Sequence, residues 1–297
     1  MNEFIQNYIL QFPQAWQFNY ATVGDQIDSA VNSFAATHAE GLAAIKRAVV
    51  TSVTSIQKFL TAIPWILIVL MVVLLSYYLL RKWKTAVLYG LILTFVGCCG
   101  LWQHMIQTLS LAIFAVFICI LLGFPLGILL AISPRASNFL RPVLDTMQTI
   151  PSWVYLIPMV MLFSTKQTPA LFATVVYGIV PMIRMTSHGL THVDPDMLEA
   201  STSFGATRIQ TLLKVQIPQA KSTIMTGVNQ TIMMCMAMVV TAAMVGAEGL
   251  GMDILLAVNQ TRAGRGLFPG ICVVIIAIIL DRLTQALAQK SEVEKHD

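Results

Sequence analysis

Between Lys84 and Arg135 the chain runs for 50 residues without one Asp, Glu, Lys or Arg. As a single helix that stretch would reach ~75 Å at about 1.5 Å per residue, more than twice the ~30 Å hydrocarbon core of a bilayer. A water-soluble domain has no place for it either. Only 11% of the residues are charged, against roughly 25% in an ordinary soluble domain, which leaves too little charge to cover an exterior. With 57% hydrophobic residues, the chain also lacks the low hydrophobicity that intrinsic disorder requires. The stretch must therefore cross a membrane twice. Its hairpin belongs at Gly100 to His104, where Gln103 and His104 form its only strongly polar pair.

The same reading extended along the chain gives about seven transmembrane helices, at 61–80, 86–102, 106–133, 152–165, 169–188, 222–246 and 267–285. Helix is the default inside lipid because it satisfies every backbone group within one segment. The span at 152–165 is the shortest. The one at 106–133 is long, and Gly123, Pro125 and Gly127 lie within it. Pro125 removes a backbone donor, while Gly123 and Gly127 form a small-xxx-small step that lets another helix approach closely. Local packing and a part in gating both remain open for this step.

The expected architecture is an all-α polytopic membrane protein in three parts. Residues 1–58 form an N-terminal interfacial segment, 59–290 the transmembrane domain with one long loop at 191–221, and 291–297 a short C-terminal tail. The first part has no basic segment followed by an apolar run and a small-residue cleavage site, so it does not read as a signal peptide. Its Phe4, Tyr8, Phe12, Trp16, Phe18 and Tyr20, mixed with polar residues, suit the headgroup level of a membrane; a plain tail is the alternative. Seven spans with the N-terminus outside place 12 of the 18 basic residues on the inner side, which by the positive-inside rule favours N-out and C-in.

Several chemistries are missing. The dipeptide Gly-Lys does not occur, so there is no phosphate-cradling P-loop and no expected ATP hydrolysis by that device. Cys98, Cys99, Cys119, Cys235 and Cys272 fall in apolar spans without metal-ligand spacing and read as small packing residues. His188 and His192 stand four apart, but Gly189 occupies the place where a zinc hydrolase needs a Glu. No catalytic residue, metal site or nucleic-acid partner is expected. No Asp or Glu lies at the middle of a span, which argues against a built-in proton relay.

The loop 191–221 reads as two short helices. Asp194 can cap the first, with Pro195 at its opening position, and Gly205 suits the left-handed residue that ends it. Thr207 can cap the second, and Pro218 is expected to close it. Each helix has an apolar face, and helices this short are marginal in water unless something covers that face.

Glu199-Ala200-Ser201-x-x-x-Gly205, followed by Val215-x-Ile217-Pro218, resembles the E-A-A-x-x-x-G-x9-I-x-L-P loop of ABC-importer permeases. Ser201, Val215 and Ile217 depart from it conservatively. The segments 133–163, 215–234 and 275–287 are similar to those of the permease subunit of glycine betaine/proline betaine importers, a likeness covering roughly residues 100–290. The resemblance implies a type I ABC-importer permease fold in the bacterial inner membrane. It also implies a homodimer, two copies of a separate ATPase that carry the ATP and Mg, and an external substrate-binding protein. This chain itself would hold no cofactor. In the family the loop docks on the ATPase, so Glu199, Ala200, Ser201, Gly205, Arg208, Val215, Ile217 and Pro218 become the coupling residues, with Lys214 beside them. The substrate would be a quaternary ammonium zwitterion, which aromatic faces attract. Choline, carnitine, proline, histidine or another small amino-acid-like solute are alternatives, and a gradient-driven carrier is the alternative class. For the pathway the candidates are Trp153 and Tyr155, which better suit an interfacial aromatic belt, and Met233 and Met236, equally gap-fillers. Gly249 and Gly251, in Gly246–Gly251, are candidates for a flexible external gate, and Glu248 for contact with the binding protein.

Overall fold

Helix α8, Gln167–Thr191, sits at the centre of the molecule: 72% of its most apolar window is buried, against 28% for the more hydrophobic helix Trp102–Ile132. The difference follows from composition. α8 carries Ala, Gly, Ser and Thr around its circumference and can be approached from all sides, whereas Trp102–Ile132 presents Ile113, Phe117, Leu121 and Leu122 outward. A side chain that prefers lipid has no need of a protein neighbour.

The computed structural model describes residues 19–293, and the side-chain surroundings of 19–287. The aromatic run expected to be interfacial, up to Phe18, lies outside the described residues, as do residues 294–297 of the expected tail. In chain order the helices are α1 Tyr20–Thr37, α2 Ala39–Ala62, α3 Trp65–Leu80, α4 Trp83–Cys98, α5 Trp102–Ile132, α6 Pro134–Thr149, α7 Ser152–Phe163, then α8. After it come α9 Pro195–Ser203, α10 Arg208–Thr211, a π-turn Leu212–Gln216, α11 Ile217–Thr241, a 3-10 turn Ala242–Val245, α12 Leu250–Asn259 and α13 Ala263–Val293. No strand occurs among the described residues.

Each of the seven expected spans falls mostly on helix, but the one at 61–80 runs through the break at Ile63–Pro64, and the helices are unequal. Four uninterrupted helical runs are long and apolar enough to cross a membrane: α5, α8, Arg208–Val245 and α13. Up to six cross if each bent pair counts as one span. α3 and α4, at 16 residues each, reach ~24 Å. The expected span 152–165 becomes the 12-residue α7, only ~18 Å long, bent by 97° from α6. A bend of 91° separates α2 from α3. Both breaks fall at an Ile-Pro pair. Ile63 (φ −79, ψ 123) and Ile150 (φ −67, ψ 130) are extended, because the following Pro64 and Pro151 exclude the helical conformation from the residue before them. α2 therefore runs across the direction of α3 and presses Val49 and Val53 into the core beside α5, α7 and α8.

Helix α5 meets α8 through its glycine step. A Cβ on Gly123 would stand 2.9 Å from Met182 Cβ, and one on Gly127 would stand 2.5 Å from Thr186 Cβ and 2.8 Å from the Ile183 carbonyl. The small-xxx-small pattern is thus a packing device, and α5 continues unbroken through Pro125. On its other side α8 receives α11, where Gly178 lies against Cys235 and Gly227 against Met185. Cys119, Cys235 and Cys272 are buried, while Cys98 is exposed.

Between α11 and α13 lies a partly buried polar cluster. Asn229 of α11 donates to Asp281 of α13 (2.9 Å), and Gln285 donates to the same carboxylate oxygen (2.8 Å). Thr284 donates to Asn229 Oδ1 (2.5 Å). Asp281 lies near the end of its expected span rather than at the middle.

Candidate functional site

The loop after α8 is defined by its caps. Asp194 accepts from the Asp196 N–H (3.0 Å) with Pro195 opening α9, so the first orphan donors are satisfied or absent. Gly205, at φ +77, ends α9. Its N–H bonds to the Thr202 carbonyl (2.9 Å) and the next N–H, from Ala206, to the Ser201 carbonyl (3.1 Å). This is a Schellman closure, and it needs a residue without steric objection to positive φ. Thr207 then opens α10 with a reciprocal capping box: Gln210 N–H donates to Thr207 Oγ1 and Thr207 N–H to Gln210 Oε1 (2.8 Å).

Pro218 does not close the second helix. The helical run continues from Arg208 to Val245, because the chain widens into a π-turn at Leu212–Gln216, where the Ile217 N–H reaches back to the Leu212 carbonyl. A proline in a regular α-helix collides with the carbonyl four residues earlier; a wide turn directly before it removes that geometry. The loop is therefore the widened start of the helical run that continues as α11.

The expected coupling residues divide into two faces. Glu199, Ala200, Gly205, Arg208 and Lys214 are exposed, whereas Val215, Ile217 and Pro218 are partly buried, with Ile217 packed near Leu190, Ala220 and Ile224. Ser201 Oγ lies 3.1 Å from Thr211 Oγ1 and joins α9 to α10, a contact that alanine could not make. Gln216 ties the turn back to the Leu190 carbonyl (3.4 Å). Neither Glu199, Arg208 nor Lys214 belongs to an ion pair among the described residues. Around them stand Phe204 (91% exposed), Ile209 (70%), Leu213 (57%) and Met197 (44%). Four large apolar side chains on one short loop form a surface of the kind that marks an interaction site.

The pathway candidates do not converge. Trp153 is exposed on α7, and the half-buried Tyr155 donates its hydroxyl to the Met147 carbonyl. On α11, Met233 is exposed but Met236 is sealed in the core at 2% exposure, so the two do not line one surface of this chain. Gly249 and Gly251 are buried and tightly held rather than loose. A Cβ on Gly249 would stand 2.4 Å from Thr108 Oγ1, and one on Gly251 2.6 Å from the Val240 carbonyl.

The reason lies in contacts that the sequence reading missed. Thr108 accepts from the Leu250 N–H (2.9 Å), Gln107 donates to Glu248 (3.1 Å), and His104 pairs with Asp253 (2.5 Å). Three residues at i, i+3 and i+4 on one face of the first turns of α5 thus clamp the start of α12 and the residues leading into it. On the loop side, Asp145 of α6 pairs with Arg184 of α8. The isolated polar pair Gln103-His104 was the sequence signal closest to the first clamp; its partners lie about 150 residues away in sequence and carry no local pattern.

Residues 123–293 match the family model described as binding-protein-dependent transport system inner membrane component. The chain is 47% identical over 196 residues to the glycine betaine/proline betaine transport system permease protein ProW of Escherichia coli, covering 66% of this chain and 55% of that one. It spans a little over half the length of the two ProW proteins it matches. It is 44% identical to the glycine betaine/carnitine transport permease protein GbuB of Listeria monocytogenes, over 78% of this chain and 83% of that one. With the glycine betaine transport system permease protein OpuAB of Bacillus subtilis it shares 40% over 86% and 87%. Among solved structures, an inward-facing form of the MetNI methionine ABC transporter superposes with a TM-score of 0.58 at 20% identity, over 62% of this chain and 93% of that one, which establishes the fold. The all-helical architecture is therefore that of a type I ABC-importer permease, and the chain belongs to the family of binding-protein-dependent transport system inner membrane components.

Proposed function

We propose that this chain is the transmembrane subunit of an ATP-driven, binding-protein-dependent importer for glycine betaine and related quaternary ammonium zwitterions. The observation that carries the reading is the apolar surface of the 191–221 loop. Phe204, Ile209 and Leu213 stand in water on rigidly capped helices, and a covering partner removes that cost. In this reading the partner is an ATPase, which binds ATP and Mg and offers a groove to the loop. Two such ATPases serve a homodimer of this chain in the bacterial inner membrane, with the N-terminus outside and the C-terminus inside.

The cycle is alternating access. Closure of the ATPases moves α9 and α10, and the unbroken helix from Arg208 to Val245 carries that movement towards the segment clamped by α5. Solute delivered by an external binding protein enters between the two subunits. The relatives' names supply the substrate class: glycine betaine occurs in those of ProW, GbuB and OpuAB alike.

In cells lacking other betaine uptake, Glu199→Lys or Gly205→Asp should abolish uptake of radiolabelled glycine betaine at an unchanged membrane level of the chain. Normal uptake by both variants would remove the coupling assignment.

A further inference from the structure

A cavity of about 200 Å³ opens between α6 and α8, one turn before the loop. Its walls carry Arg141, Arg184, His188 and His192, with Asp145 as the one carboxylate. Asp145 occupies one edge of Arg184, but a guanidinium has five donors. Arg141 has no carboxylate within ion-pair distance among the described residues. The imidazoles of His188 and His192 lie against each other with centroids 4.0 Å apart and planes tilted by 41°. His192 Nδ1 donates to the His188 carbonyl (2.9 Å), so its Nε2 is the ring nitrogen left for another partner, and it donates to an anion in the protonated ring.

Cations at the end of α8 also suit the negative end of that helix, but this does not account for Arg141, which reaches the same cavity from a different helix. Buried Leu144 and Leu130 form an apolar floor beneath the cations, while Arg141, His188 and His192 are exposed and open to an incoming group. The volume lies below the ~300 Å³ at which drug-sized pockets begin, so a small group fits. Two guanidinium groups match the oxygens of a phosphate bidentately, as ammonium groups do not. The cavity also lies where apolar α5 ends at Ile132 and polar α6 begins, a change in polarity that suits the level of lipid headgroups.

We propose that this cavity binds a phosphate oxyanion, either the headgroup phosphate of an anionic lipid or soluble phosphate, through Arg141, Arg184 and the His188–His192 pair. The bound anion bridges α6 to α8 and fixes the base from which the loop projects. The assignment rests on these side chains and is independent of the transport reading.

The test uses the full chain in detergent. In one arm, native mass spectrometry compares retention of phosphatidylglycerol with that of an uncharged galactosyl diacylglycerol of the same acyl chains. In the other, the lipid-depleted chain is melted with inorganic phosphate or with chloride at equal ionic strength. Preferential retention of phosphatidylglycerol identifies a lipid source, and a phosphate-specific rise in melting temperature identifies a soluble one. In either case Arg141→Gln should weaken the effect about tenfold, as loss of one charge-assisted partner does. His188→Gln/His192→Gln serves as the second variant, since neither substitution touches the Asp145–Arg184 pair. Absence of both effects, or effects that persist in both variants, would overturn the proposal.

Discussion

Replacing Phe204 by Ala separates a docking surface from a structural one. The ring is 91% exposed, so the isolated chain should lose almost nothing, within ~0.5 kcal/mol. A partner that covered the ring completely would bury ~150 Å² of it, worth ~4 kcal/mol at ~25 cal/mol per Å². Alanine keeps the Cβ and the cover is incomplete, so about half of that, ~2 kcal/mol, is the expected loss. It corresponds to about a 30-fold weaker affinity. The assay titrates the cognate ATPase onto the chain held in lipid nanodiscs and measures uptake in parallel. Melting of the chain alone serves as the control. Unchanged affinity would refute the reasoning. So would a melting loss as large as the binding loss, since Phe204 would then be supporting the fold.

Three further perturbations test the packing beneath this surface. Gly127→Ala places a Cβ against the Ile183 carbonyl and Thr186 and should destabilise the α5–α8 contact by ~1–3 kcal/mol; Gly24→Ala, with no atom within 4 Å, should stabilise α1 slightly, and melting in detergent compares them. Gly205→Val meets no neighbour, so its expected cost of ~1–2 kcal/mol comes from the backbone at φ +77 alone; Gly205→Asn should be milder, and equal melting of all three proteins would contradict the Schellman assignment. A double-mutant cycle on Asn229 and Asp281 should give a coupling of ~0.5–2 kcal/mol, and a value of zero would mean that their 2.9 Å bond contributes nothing to joining α11 and α13.

What the sequence revealed was local in origin. The absence of charge from 85 to 134 was enough to require two crossings. The caps at Asp194, Gly205 and Thr207 could be read because each acts within three or four residues of itself. The expected span at 61–80 ran through the Ile63-Pro64 step, and even such a step says only that a helix stops; the bends of 91° and 97° are set by the helices against which the segments lean. The π-turn at Leu212–Gln216 escaped for a related reason. Pro218 is a stop signal in a regular helix, and nothing in its neighbours announces the wider turn that accommodates it. The clamp of His104, Gln107 and Thr108 on 248–253 joins distant residues, and its consequence was misjudged from sequence. Gly249 and Gly251 read as freedom, yet they are the small residues that allow α12 to pack closely. Met233 and Met236 could be read only as pathway lining or gap-filling alike, because composition does not say which side of a helix meets the core, and Met236 turns into the core where Met233 does not.

The central claim is that this chain provides a pathway and a docking loop but no motive power of its own. Reconstitution into liposomes tests it most directly, with radiolabelled glycine betaine outside and ATP inside. Uptake should require the chain, its ATPase and the binding protein together, and should stop when ATP is replaced by a non-hydrolysable analogue. Accumulation driven by an ion gradient through this chain alone would contradict the account.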